Sequence, residues 1–165
     1  MKVFRITADS STLIGLAQIN QFELLKKLFL EIYIPGAVYY EVVIKGKNEV
    51  GSKETEKAIN DGWIIKRNTA DRLAVQAFSS TLGDGESEVI VLYKELALDY
   101  ALIDEKMARG KAELIGVNVI GIIGVLNLAI EMGFDINKKE LVDKLIGKGF
   151  RISDRLYKRM FPGSK

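Results

Sequence analysis

Val3-Phe4-Arg5-Ile6-Thr7-Ala8-Asp9-Ser10-Ser11-Thr12 reads as a strand that runs directly into a helix cap. Val, Phe, Ile and Thr suit a pleated, buried surface. Asp9-Ser10-Ser11-Thr12 offers four short oxygen-bearing side chains, the residue types that cap helix N-termini. Leu13 to Gln18 then continues as a helix, and Phe22 to Phe29 as a second one. Leu30 to Ile34 reads as the next strand, stopped by Pro35-Gly36, after which a helix over Gly36 to Lys45 is predicted. Short apolar runs alternate with amphipathic stretches along the rest of the chain. Strands are predicted at Trp63 to Lys66, Tyr100 to Ile103 and Val117 to Ile120. Helices are predicted near Glu54 to Asn60, Ala70 to Ser79, Glu86 to Ala97, Lys106 to Ile115, Ile122 to Glu131, Lys138 to Ile146 and Asp154 to Met160. This alternation is the mark of an α/β fold with a parallel sheet.

The 165 residues suit a single domain over 1–165, with a basic helical part from about 137 to 165. Net charge is only +2, but it is unevenly spread. Lys138 to Lys165 carries nine basic and three acidic side chains, so the remainder of the chain is net −4. Such a split suits a basic contact surface beside an acidic site, and equally a solvated helical surface. The chain has no Cys and no His. Disulfides, Cys/His zinc sites, iron–sulfur clusters, Cys nucleophiles and His general bases are thereby excluded. Chemistry here falls to carboxylates, Lys, Arg, Tyr, hydroxyls or a metal held by oxygen. Oxygen donors favour hard cations such as Mg2+ or Mn2+. The opening Met-Lys-Val-Phe-Arg-Ile is too charged for an export signal, and with no Cys present a cytoplasmic location is expected. Leu114 to Ile130 lacks charge over 17 positions, yet its Asn and Gly residues split it into a strand and a helix rather than a membrane span.

In open parallel sheets, ligands bind beyond the carboxyl ends of the strands. Asp9 follows the first strand, and Asp104, with Glu105 beside it, follows Tyr100 to Ile103. Glu41 and Glu86 border the apolar stripes of their helices and lean toward the protein body. Each has an ordinary role open to it: a cap for Asp9 or Asp104, dipole complementarity for Glu86, a surface ion pair for Glu41. Together they make a carboxylate cluster, which a divalent cation would relieve of its mutual repulsion. No Gly-x4-Gly-Lys-Ser/Thr phosphate loop is present. Asp9 lacks the second Asp two residues later that a haloacid-dehalogenase-type phosphatase needs.

With these residues in view, the chain resembles the PIN-domain ribonuclease superfamily, and more closely a prokaryotic PIN-like branch related to VapC-type toxins. Asp9-Ser10-Ser11-Thr12-Leu13-Ile14 resembles the family's opening Asp-Thr-Ser-x-Leu-Ile. Ile34-Pro35-Gly36-Ala37-Val38, leading to Glu41, resembles the entry to the second acidic residue. Gly83-Asp84-Gly85-Glu86 and Leu102-Ile103-Asp104-Glu105 resemble the Gly-x-Gly-Glu turn and the Leu-Ile-Asp-Asp strand end. Arg109, Ala112 and Gly116 resemble the helix that follows, and Ile120 to Leu126 the branch's Gly-Thr-x-Gly-x-Leu segment.

The resemblance implies a twisted parallel sheet of about five strands with helices on both faces. It implies a metal-dependent endoribonuclease in which Asp9, Glu41, Glu86 and Asp104 bind Mg2+ or Mn2+. Ser10, Ser11 and Glu105 are accessory positions: Ser10 replaces the usual Thr, and Glu105 replaces a frequent second Asp. The metal would polarise a water for in-line attack on phosphorus. Arg109, Lys111 and Arg151 are candidates for RNA phosphates, or else a solvated face. Lys144, Lys148, Arg155 and Lys158 extend that basic track. The resemblance further implies RNA as substrate, an antitoxin protein as a possible partner and a homodimer. A PIN-like fold used only to bind RNA or protein, without turnover, is the alternative.

Overall fold

Arg5–Ala8 forms β1, the middle strand of the sheet. The computed structural model describes residues 2–163. β1 pairs in parallel with β2 (Glu31–Ile34) on one side, Ile6 facing Ile32 and Thr7 facing Tyr33. On the other side it pairs with β4 (Tyr100–Leu102), Thr7 facing Ala101 and Ala8 facing Leu102. β3 (Ile64–Lys66) extends the sheet beyond β2, and β5 (Val119–Ile120) extends it beyond β4. All five strands are parallel, in the order β3-β2-β1-β4-β5. The central strands are the apolar ones because both their faces are covered: Ile6, Ala8, Ile34, Ala101 and Leu102 are fully buried.

Among the described residues, ten α-helices surround the sheet: α1 (Ser10–Gln18), α2 (Leu24–Leu28), α3 (Gly36–Tyr39), α4 (Ser52–Asn60), α5 (Arg72–Ser79), α6 (Asp84–Glu95), α7 (Lys106–Leu114), α8 (Ile122–Glu131), α9 (Lys138–Gly147) and α10 (Asp154–Met160). The run Gly85 to Tyr93 of α6 is buried apart from Glu86, as expected of a helix enclosed on nearly all sides. α10 buries no residue fully and is tied to α9 by the Tyr157 hydroxyl, which donates to Asp143 at 2.6 Å.

The predicted elements are all present, with three instructive differences. The helix over Gly36 to Lys45 is α-helical only to Tyr39; Tyr40–Lys45 is π-helical, and the Gly46 N–H reaches the Glu41 carbonyl at 3.0 Å. The strand predicted from Val117 begins at Val119, because the Val117 N–H donates to Ala112 at 3.0 Å and closes α7. Gly116, at φ +81°, makes the turn that permits this. α6 starts at Asp84, two residues earlier than predicted, which places Gly85 inside its first turn. The uncharged stretch Leu114 to Ile130 divides into the end of α7, β5 and most of α8. Among the described residues no helix is long and apolar enough to cross a membrane.

The chain travels from β1 outward through β2 to β3, then returns to lay β4 on the other side of β1. The strand order therefore reverses between β1 and β4. That reversal is where an open parallel sheet leaves a crevice at its carboxyl edge.

Candidate active site

Asp9 and Asp104 stand at this crevice, one beyond β1 and one beyond β4. The Asp9 N–H donates to the Leu102 carbonyl at 2.9 Å, so the strand pairing itself positions Asp9 beside β4. One Asp9 oxygen accepts from the Thr12 N–H at 2.8 Å, capping α1. The other accepts from the Asp104 N–H at 3.2 Å. Asp9 is thus both the helix cap and a member of the acid pair. It is 2% exposed, and burial, reinforced by the nearby Asp104 charge, pushes its carboxyl up to about 7. Asp104 accepts from the Ile122 N–H at 3.2 and 3.3 Å, and from the Thr12 hydroxyl at 3.4 Å. Burial raises it above the ordinary carboxylate range as well, opposed by that Ile122 bond and by the nearby Arg109 charge.

Glu41 and Glu86 form the second pair. The Ser10 hydroxyl donates to Glu41 at 2.7 Å, linking the first turn of α1 to the π-helical turn. Glu41 lies over Gly85: a Cβ there would come within 2.5 Å of a Glu41 oxygen. Glu86 is the next residue, half-buried, and its carboxyl is raised by burial and by the charges of Glu41 and Glu105. Glycine at 85 is therefore what allows the Glu41 carboxylate to lie against the first turn of α6. Gly85→Ala is expected to improve helix propensity by up to about 1 kcal/mol. It should also displace Glu41, which can swing aside at little energetic cost. The expected outcome is an unchanged or raised melting temperature with at least tenfold weaker Mn2+ binding, read by thermal unfolding and calorimetry on one preparation.

The accessory positions separate. Ser10 touches Glu41, whereas Ser11 is exposed and its hydroxyl makes no side-chain hydrogen bond among the described residues. Glu105 is exposed and spends its carboxylate on α7, accepting from Met107 at 3.1 Å and Ala108 at 2.7 Å. Arg109 and Arg151 line one cleft of about 340 Å³ that opens beside Asp104. Lys111 turns toward the Thr81 hydroxyl, in the turn before α6. Lys144 and Lys148 do not join them. Lys144 pairs with Glu140 at 3.6 Å, and Lys148 lines a separate cleft of about 520 Å³ near Gln18 and Trp63. No candidate carboxylate lines that larger cleft, which lies at the amino-terminal rim of the sheet.

Two residues matter here that sequence patterning passed over. Thr12 is fully buried and serves both aspartates, through its N–H and its hydroxyl. Its position three after Asp9 was the available signal, because that spacing presents the capped N–H. Glu88, 6% exposed, accepts from the Ala37 N–H at 3.4 Å and lies 3.6 Å from the Arg72 guanidinium. Pro35 has no side chain able to cap α3, so Glu88 of α6 supplies the acceptor from across the core. It thereby joins the two arms that carry Glu41 and Glu86. Glu88→Ala is expected to lower stability by about 1–3 kcal/mol, because it leaves a partly buried N–H unpaired, while Glu88→Gln should lose less. Urea denaturation of the two variants checks the order.

Among the described residues, no salt bridge involves Asp9, Glu41, Glu86 or Asp104. Three of these four carboxyls are raised, and no bonded cation offsets their repulsion. Such a donor set suits a hard divalent cation. The carboxylates nevertheless stand as two pairs, and among the described residues no three are arranged to hold one ion outright. A magnesium site built on one or two carboxylates plus waters is compatible with that spacing.

The fold and site define a parallel α/β domain with an acidic pocket at the carboxyl edge of its sheet. A family model described as a PIN domain matches residues 5–163, and the chain belongs to that family. PIN domains are in general nucleases, which places the chain among hydrolases at that level of description. No curated protein matches the chain significantly.

Proposed function

We propose that the protein is a metal-dependent endoribonuclease that hydrolyses RNA phosphodiester bonds. The observation that supports it best is the set of four carboxylates near the β1/β4 reversal, three of them raised and, among the described residues, none in a salt bridge. Asp9 and Asp104 would hold Mg2+ or Mn2+ from the strand ends, and Glu41 and Glu86 would complete the site from their helices. A bound divalent ion supplies Lewis acidity for activating water and for stabilising the departing oxygen. The chain's own residues do the positioning. Thr12 orients both aspartates, Ser10 orients Glu41, and the backbone N–H of Ile122 steadies Asp104. The surrounding apolar core keeps the aspartates out of bulk water, which strengthens their hold on a cation.

The same reading takes RNA as the substrate. It takes a protein antitoxin and a second copy of the chain as partners, as in the toxins the sequence resembles, and it takes the cytoplasm as the location. One observation favours a second reading, a module that binds RNA or protein without turnover: among the described residues, no three carboxylates stand ready to hold an ion. The test is cleavage of a mixed-sequence RNA with Mn2+, Mg2+ or excess chelator. Cleavage that needs the ion, yields internal fragments and disappears in Asp9→Asn supports the nuclease. Tight RNA binding that is indifferent to metal and gives no fragments supports the binding module.

A further inference from the structure

The cleft beside Asp104 joins two parts of the chain distant in sequence: the stretch from β5 into α8, and the segment 150–156. Asp104 lines this cleft and is also hydrogen-bonded to Asp9, so the cleft lies beside the acid cluster. Arg109 and Arg151 supply its positive charge, and among the described residues neither forms a salt bridge. Gly121 lets Arg109 approach. A Cβ at that position would lie 2.6 Å from an Asp104 oxygen and 3.2 Å from an Arg109 guanidinium nitrogen. The cleft also has an apolar wall, which includes Phe150, Ile152 and Leu156. Phe150 is held in place by α1, where a side chain at Gly15 would sit 2.7 Å from its ring. Phe150 is thus packed between the cleft and α1.

A ligand for this space needs an anionic end for two guanidinium groups and a flat apolar part for the wall. It must also extend to Asp104. A basic peptide fails the first condition, because both arginines would repel it. We propose that the cleft holds one nucleotide of the RNA strand, next to the phosphate that is cut. The base lies against the Phe150 and Ile152 wall, and the phosphate meets Arg109 and Arg151. Guanidinium groups suit that phosphate because they donate paired hydrogen bonds to its oxygens. The segment 150–156 thus serves as a substrate-positioning arm. This assignment rests on the nuclease reading for the cut phosphate but not for nucleotide binding itself.

The experiment uses the full chain and the four nucleoside 5′-monophosphates, titrated by NMR in chelator, with inorganic phosphate as reference. At least one nucleotide should bind saturably and about tenfold or more tightly than phosphate, since stacking adds to the charge contact. Arg151→Ala, an exposed change, should weaken it by about tenfold. Leu156→Glu, which places a negative charge in the lining, should weaken it similarly with Arg151 intact. Nucleotides that bind no better than phosphate, or equally well to Arg151→Ala, overturn the proposal. RNA cleavage with Mn2+ separates it from the nuclease reading. Nucleotide binding that depends on Arg151 in a protein that cuts no RNA leaves the cleft standing and removes the nuclease. Cleavage with KM unchanged in Arg151→Ala does the reverse. If both readings hold, the loss in Arg151→Ala falls on KM rather than on kcat.

Discussion

Asp104→Asn is expected to abolish saturable Mn2+ binding and to slow RNA cleavage by more than about 100-fold, while the protein stays folded. Loss of a residue that merely orients a metal ligand already costs about 10–100-fold, so loss of a direct ligand should cost more. The fold should survive because Asn keeps a carbonyl oxygen for the Ile122 N–H, the bond that ties β4 to the start of α8. Burial already disfavours the charged form of Asp104, so removing that charge should not lower metal-free stability near pH 8. Calorimetric titration beside a thermal melt reads both quantities. Wild-type Mn2+ affinity in this variant would eliminate the aspartate from the site. A melting temperature several degrees lower would mean that Asp104 acts mainly in the fold.

The second large effect is on stability against pH. The Asp9 carboxyl is raised from 3.8 to about 7 in the folded chain, chiefly by burial. The folded state therefore holds a proton that the unfolded state has released between those values. Stability is fully present below about pH 4 and is lost as pH rises through 7. At ~1.36 kcal/mol per pH unit, that gap sets a ceiling of about 4 kcal/mol. Asp104 and Glu86 are raised too and act in the same direction. Glu31 and Asp143 are lowered by their hydrogen-bonded partners and act in the opposite direction at lower pH. Both are exposed pairs, so screening keeps their contribution small. The metal-free protein should accordingly need less urea to unfold at pH 8 than at pH 5. Saturating Mn2+ should reverse the order, since an ion bound only by the folded, ionised cluster stabilises it by mass action. Asp9→Asn should flatten the slope, because it resembles the protonated side chain. A metal-free protein equally stable at both pH values would remove buried Asp9 as the source of strain.

Much of this was legible in the chain before any coordinates. Apolar runs at Val3 to Ala8 and Tyr100 to Ile103, each ending in Asp, place two carboxylates on one rim because parallel strands share a direction. The absence of Cys and His left oxygen donors as the candidates for any metal site. Strand order was not legible. Only the sheet shows that β1 and β4 are neighbours, so that Asp9 accepts a hydrogen bond from the Asp104 N–H 95 residues away. The meeting of Glu41 with Gly85, the reach of Glu88 to Ala37 and the shared cleft of Arg109 and Arg151 were equally hidden. The basic tail illustrates the same limit. Its charge count suited one contact surface and a solvated helical face equally, and Lys144, Lys148 and Arg151 go to three different places. Local spacing determines which way a side chain leaves its own helix or strand, and that follows from the backbone's period. What it then faces depends on contacts between segments far apart in the chain, and here the packing of α6, α8 and residues 150–156 around the sheet decided them.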